Sequence, residues 1–301
     1  MRFDFDDEQR EIKDTARSFL AARFKPEKVR ELAEAGAYDE ALWSEVCELG
    51  WPGIAIGEEH GGQGLGMVEL MILSEELGYA CAPLPFLSNA AAGLALEIAG
   101  SEEQKAEHLP GIASGEGRGA ISGMGVVMDE PGAAVLIEID DEHSASLSQP
   151  AEDDLEPLDL IDSTRRYSRA PDHGSEDLPG DAAPARNRIS VALAAELVGI
   201  GQRAMEMAVG YAKEREQFER PIGAYQGVSH ICARMLYDIE EARSLTYFAA
   251  WAADAEPDSL PLAAAMAKAR ASEAAWDVCK ASIQVHGGIG FTWEHDLHFL
   301  L

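Results

Sequence analysis

Three long alanine-rich segments close the chain, and the middle one, VSHICARMLYDIEEARSLTYFAAWAADA, constrains the fold most. Its Val228, Ile231, Cys232, Met235, Ile239, Ala242 and Leu245 recur every three or four residues, which sets them in one continuous stripe along a helix. A stripe of that length has to be covered. The segments on either side, beginning RISVALAAEL and LPLAAAMAKA, have the same character and supply the cover. The pattern predicts a helical bundle over residues 186–301.

The front of the chain is helical as well. DDEQREIKDTARSFLAARF, EALWSEVCELGW, MVELMILSEELGYA, NAAAGLALEIAG and SEEQKAEHLPGIASG follow one another. Ile12, Ala16, Phe19 and Leu20 keep helical spacing, and Ser101 with Gln104 makes a capping box. Residues 1–115 are therefore expected to form an all-helical domain. Between 116 and 185 the character changes. Two apolar runs, GVVM and AAVLIEI, separated by DEPG, predict a β-hairpin, and two further short strands are expected around 158–161 and 166–169 in a stretch rich in Pro, Asp and Ser. The expected fold class is mainly α with a small β middle domain.

The charge narrows the partners. Fifty-four acidic residues against 24 basic ones give a net charge of -30, which repels nucleic acid and anionic membranes at long range. Cys47, Cys81, Cys232 and Cys279 lie far apart with no Cys-x-x-Cys pair, so neither a zinc site nor a disulfide framework is expected. The first residues, MRFDFDDEQREIKD, are acidic where a signal peptide is basic and then apolar. No uncharged run reaches the roughly 18 residues of a membrane span. These features predict a cytoplasmic protein without membrane insertion.

Three stretches carry possible chemistry. In YAKEREQFERPIGAYQGVSH, Arg215, Gln217 and Phe218 stand just before a turn made by Pro221 and Gly223. Arginine holds phosphate oxygens in a fork, glutamine meets a ribose or adenine edge and phenylalanine offers a ring face. As isolated residues they equally describe an ordinary helix end. In IQVHGGIG, Gly287 and Gly288 either cap a helix or bring backbone N–H groups close to a ligand. In IGEEHGGQGLGMVELMILSEELG, four glycines make a loop before a helix.

Taken in order, GEEHGGQGLG…EELG, GSEEQKAEHLPGIASGE, REQFERPIGAYQGVSH and QVHGGIGFTWEHD resemble the acyl-CoA dehydrogenase family of flavoproteins over residues 1 to about 120 and about 186 to 301. FTWEHDLH is most similar to members that act in bacterial lipid and sterol side-chain breakdown, several of them as paired unlike subunits. The resemblance implies FAD as cofactor, an acyl-CoA thioester as substrate and an electron-transferring flavoprotein as acceptor. It also implies assembly with a second copy or a related dehydrogenase subunit. Arg215, Gln217 and Phe218 would then meet the pyrophosphate and adenosine of a neighbour's FAD, with Gln284, Gly287 and Gly288 supporting the same cofactor. The implied reaction takes two hydrogens from the α and β carbons, the α-proton going to a carboxylate.

The chain departs from the family pattern in three places. The family's spacing sets one form of the catalytic base near Arg188 and Ile189, yet no acid occurs from 184 to 195, and Glu196 is the first carboxylate after them. Its apolar flanks Ala192, Leu193 and Ile200 describe either a buried acid with raised pKa or a helix-packing glutamate. The middle segment has about 70 residues against about 100 in full-length relatives, with no Trp between Trp51 and Trp251. The final bundle helix, expected to start near EHDLHFLL, is expected to be incomplete.

Overall fold

The computed structural model describes residues 4–123, 125–129, 131–149, 155–169 and 174–301. Six helices come first: α1 (Asp7–Arg23), α2 (Pro26–Ala35), α3 (Glu40–Glu48), α4 (Met67–Ala80), α5 (Phe86–Ala99) and α6 (Glu102–Ser114). Their starts follow local chemistry. Asp6 and Gln9 cap α1 reciprocally, and Ser101 and Gln104 do the same for α6, so backbone donors left over in each first turn are satisfied. Ala16 and Leu20 are buried on α1, with Ile12 and Phe19 packed beside them.

Seven strands follow: β1 (Gly119–Gly123), β2 (Val126–Met128), β3 (Val135–Ile139), β4 (Ala145–Ser148), β5 (Glu156–Pro157), β6 (Tyr167–Arg169) and β7 (Glu176–Asp177). They form one sheet in the order β5-β6-β2-β1-β3-β4-β7. β1 and β3 run parallel, and the other pairs are antiparallel. The hairpin expected from GVVM and AAVLIEI is not formed, because β1 lies between β2 and β3 and pairs with both. β1 reads GAISG, a short run with glycine at each end, and so it carries little apolar alternation to announce it. The strand expected at 166–169 is β6, and the one expected at 158–161 sits two residues earlier, at β5. Ile137, Leu147, Leu96 and Ile112 share a core that fastens the sheet to α5 and α6.

The bundle is α7 (Ala183–Glu214), α8 (Gln226–Ala255) and α9 (Leu260–His286), with a two-strand hairpin of β8 (Glu216–Gln217) and β9 (Arg220–Pro221) between α7 and α8. Met235, Ile239 and Ala242 of the predicted stripe are buried, and Val228, Ile231, Cys232 and Leu245 pack against the same core. That core is continuous with α1 and α4. α4 and α7 cross where a Cβ on Gly78 would strike the Glu196 carbonyl and one on Gly199 the Glu75 carbonyl, so only glycine permits the approach. Asp254, at the end of α8, accepts from the first N–H of α4 at 2.9 Å and ties bundle to front.

Residues 296–299 form a 3-10 turn, where a final α-helix was expected to start. Arg30 holds Asp296 at 2.6 Å, and Leu297 and Leu300 are buried in the core.

Candidate functional site

The six cofactor candidates lie at one end of the bundle. Tyr211, in the last turn of α7, stacks on His286, the last residue of α9, with centroids 4.5 Å apart. Arg215 follows Tyr211 by one turn and closes α7 through its N–H to the Tyr211 carbonyl at 2.8 Å. Gly287 follows His286 directly, so hairpin and glycine turn leave the bundle side by side. His286 is buried, and its Nδ1 lies 2.8 Å from the Ser282 carbonyl oxygen. Burial holds its pKa below the ordinary histidine value, and the ring is an uncharged platform between the two motifs.

The hairpin turn consists of Phe218 and Glu219, both in left-handed backbone conformations with φ of 52° and 68°. Two-residue turns of this shape favour Asn-Gly, and a bulky residue there is strained. Phe218 nevertheless stands 86 % exposed at the tip. Tyr225 braces it by donating its hydroxyl to the Gln217 carbonyl at 3.1 Å, while Arg220 lies 3.9 Å over the Tyr225 ring. Among the described residues neither Arg215 nor Arg220 has a carboxylate within ion-pair distance. Helix C-termini carry negative partial charge, so affinity for an anion here would come from these side chains.

Gly287 caps α9: its φ is 66°, and its N–H donates to the Ile283 carbonyl. Gln284, Gly287 and Gly288 are exposed, and nothing lies within 4 Å of where a Cβ would stand on either glycine. The exposed face thus offers two arginines, an amide, a ring and bare backbone. Guanidinium, amide, ring and backbone N–H groups together make a donor set suited to an anionic, aromatic ligand approached from outside the chain.

Glu196 is elsewhere. Its carboxylate pairs with Arg165, which also reaches Asp129 at 3.1 Å and the Leu84 carbonyl at 2.8 Å. Leu77, Leu84, Phe86 and Leu87 close around the pair and leave no room for a water molecule. Burial raises the pKa of both Glu196 and Asp129, with Asp129 adding to the effect on Glu196, Asp162 adding to both and Arg165 opposing it. Arg188, where the family spacing sets a base, bonds the Ala253 carbonyl at 2.9 Å. The Arg165 cluster joins the arginine to groups 31, 36 and 81 positions away, and no local sequence signal announced that pairing. The same is true of Glu59, His60 and Glu97, whose ligand-type atoms lie within 4.8 Å of one another near the surface.

The acyl-CoA dehydrogenase N-terminal domain model matches residues 6–116, and the C-terminal domain model matches 185–301. Acyl-CoA dehydrogenase IpdE2 of Mycobacterium tuberculosis is 35% identical over 298 residues, covering 97% of this chain and 89% of that protein. A solved structure of the Tcur3481-Tcur3483 steroid ACAD superposes with a TM-score of 0.86 at 28% identity, covering 98% of this chain and 91% of the other. The ChsE4-ChsE5 complex from Mycobacterium tuberculosis shares the fold, with a TM-score of 0.86 at 23% identity over 100% of this chain and 92% of the other.

Proposed function

This chain belongs to the acyl-CoA dehydrogenase family, and on that premise we propose that it is a subunit of an FAD-dependent enzyme oxidising an acyl-CoA thioester between its α and β carbons. One observation carries the cofactor part of this reading. Two arginines without acidic partners and an outward-facing phenylalanine on a strained turn stand beside an open glycine turn at one end of the bundle. Among the described residues no carboxylate pairs with either arginine, so the group fits a ligand held largely by another subunit. Arg215 and Arg220 would take pyrophosphate oxygens, Gln217 the adenosine edge and Phe218 a ring face, with Gln284, Gly287 and Gly288 lining the approach. Bound FAD would supply the hydride acceptor, and an electron-transferring flavoprotein would take the electrons onward. The likeness to a steroid ACAD supports a steroid-derived acyl group as the first substrate class to try, alongside fatty acyl-CoA.

A second reading assigns the base to a partner and leaves this chain noncatalytic. The observation that favours it is Glu196, tied to Arg165 in a filled gap, with no acid from 184 to 195. Purification alone and with a co-expressed related dehydrogenase separates the two. A flavin absorbance band in the chain alone that bleaches anaerobically on adding acyl-CoA would exclude the noncatalytic reading. A band present only in the co-purified complex supports it, and no band in either preparation overturns the flavin proposal. In whichever preparation is yellow, Arg215→Ala is expected to weaken flavin retention about tenfold or more, the effect of one lost charge-assisted contact.

A further inference from the structure

We infer that a cleft formed by α1, α2, α4, α7 and the last 3-10 turn, lined by residues other than those of the hairpin and the glycine turn, binds a small amphipathic anion of the medium-chain carboxylate class. The cleft holds about 240 Å³. That lies below the roughly 300–1,000 Å³ of drug-sized sites, so its occupant is small. Leu20 of α1, Phe24 just after it, Val29 of α2, Met207 of α7 and Phe299 of the last turn give it an apolar wall.

The charges around the cleft are unevenly matched. Of its two acids, Glu76 is held by Arg17 at 3.0 Å and Asp296 by Arg30 at 2.6 Å. Glu206, just outside, accepts from the hydroxyl of Tyr79 and from the Gln202 amide. Lys25 and Arg203 line the same cleft, and among the described residues neither has a carboxylate within ion-pair distance. Arg203 lies 5.5 Å from the Tyr79 ring centroid, which holds its guanidinium beside that ring. In a chain of net charge -30, two cations that pair with no carboxylate among the described residues, over an apolar wall, are complementary to a ligand with one negative head and a hydrocarbon tail. The head meets Lys25 and Arg203, and the tail lies along Leu20, Phe24 and Met207. The site shares no residue with the hairpin or the glycine turn, and it stands whether or not the flavin reading does.

Calorimetric titration of the purified chain with octanoate, octan-1-ol and octylamine tests the inference. Octanoate is expected to bind about tenfold more tightly than the alcohol, with octylamine weakest, and added salt is expected to narrow the gap. The double variant Lys25→Gln with Arg203→Gln changes only the two head-group cations, and its melting curve reports that it is folded. It is expected to bind octanoate no better than octanol. Equal affinity of the native chain for octanoate and octanol, undiminished octanoate binding by the folded double variant, or no binding at millimolar octanoate overturns the inference.

Discussion

Arg165 serves two carboxylates with one guanidinium. Asp129 is buried and receives the Tyr38 hydroxyl, Glu196 is partly buried, and the two carboxyls share one guanidinium. Removing the cation is therefore the most damaging change at this scale. Arg165→Met is expected to destabilise the fold by about 3–5 kcal/mol in urea unfolding, because two acids are left unpaired. The pH dependence follows from the direction of the shifts. Burial raises both acids above their ordinary values, so the folded state holds protons to higher pH than the unfolded chain does. The stability this contributes is full below about pH 4 and is lost as pH rises through the raised values. Urea midpoints are expected to fall as pH rises above about 4, the ordinary carboxylate value, and Glu196→Gln to flatten that slope. An unchanged slope would remove Glu196 from the account. Sequence spacing singled out Glu196 by its apolar flanks, and the structure adds the reason it is held: an arginine 31 positions earlier.

At the scale of elements, the β8–β9 hairpin keeps a poor turn. Phe218 and Glu219 both sit at positive φ, where asparagine and glycine fit without strain. Phe218→Asn with Glu219→Gly is expected to stabilise the chain by about 1 kcal/mol while lowering flavin retention in the assembled protein. If both stability and flavin content rise, the tip has no cofactor role. The bundle helices were legible because a 3.6-residue apolar repeat persists from Val228 to Leu245 in α8. The sheet was less so. β1 is five residues with glycine at both ends, and its place between β2 and β3 comes from long-range pairing that no local run encodes. At the last turn, Leu297 and Leu300 are buried in the same core as α9, and a 3-10 turn points both inward.

Over the whole molecule, a charge of -30 opposes compaction. Ion pairs such as Arg243 to Glu75 and Arg270 to Glu241 relieve it locally, but they leave most acids facing solvent. Thermal stability is expected to rise as sodium chloride is increased from near zero to about 0.5 M, where the screening length falls to a few ångström. A melting temperature that falls instead would show that the ion pairs outweigh the repulsion. No helix among the described residues is long and apolar enough to cross a membrane. The sequence alone determined the helix–sheet–bundle order, the family and the two motifs at the bundle end, because periodicity, capping and glycine placement act over a few residues. The tertiary structure decided that Tyr211 and His286 bring those motifs together, that Arg165 occupies Glu196, and that Lys25 and Arg203 share one cleft. Those relations join residues tens to nearly two hundred positions apart, and only packing the helices sets such distances.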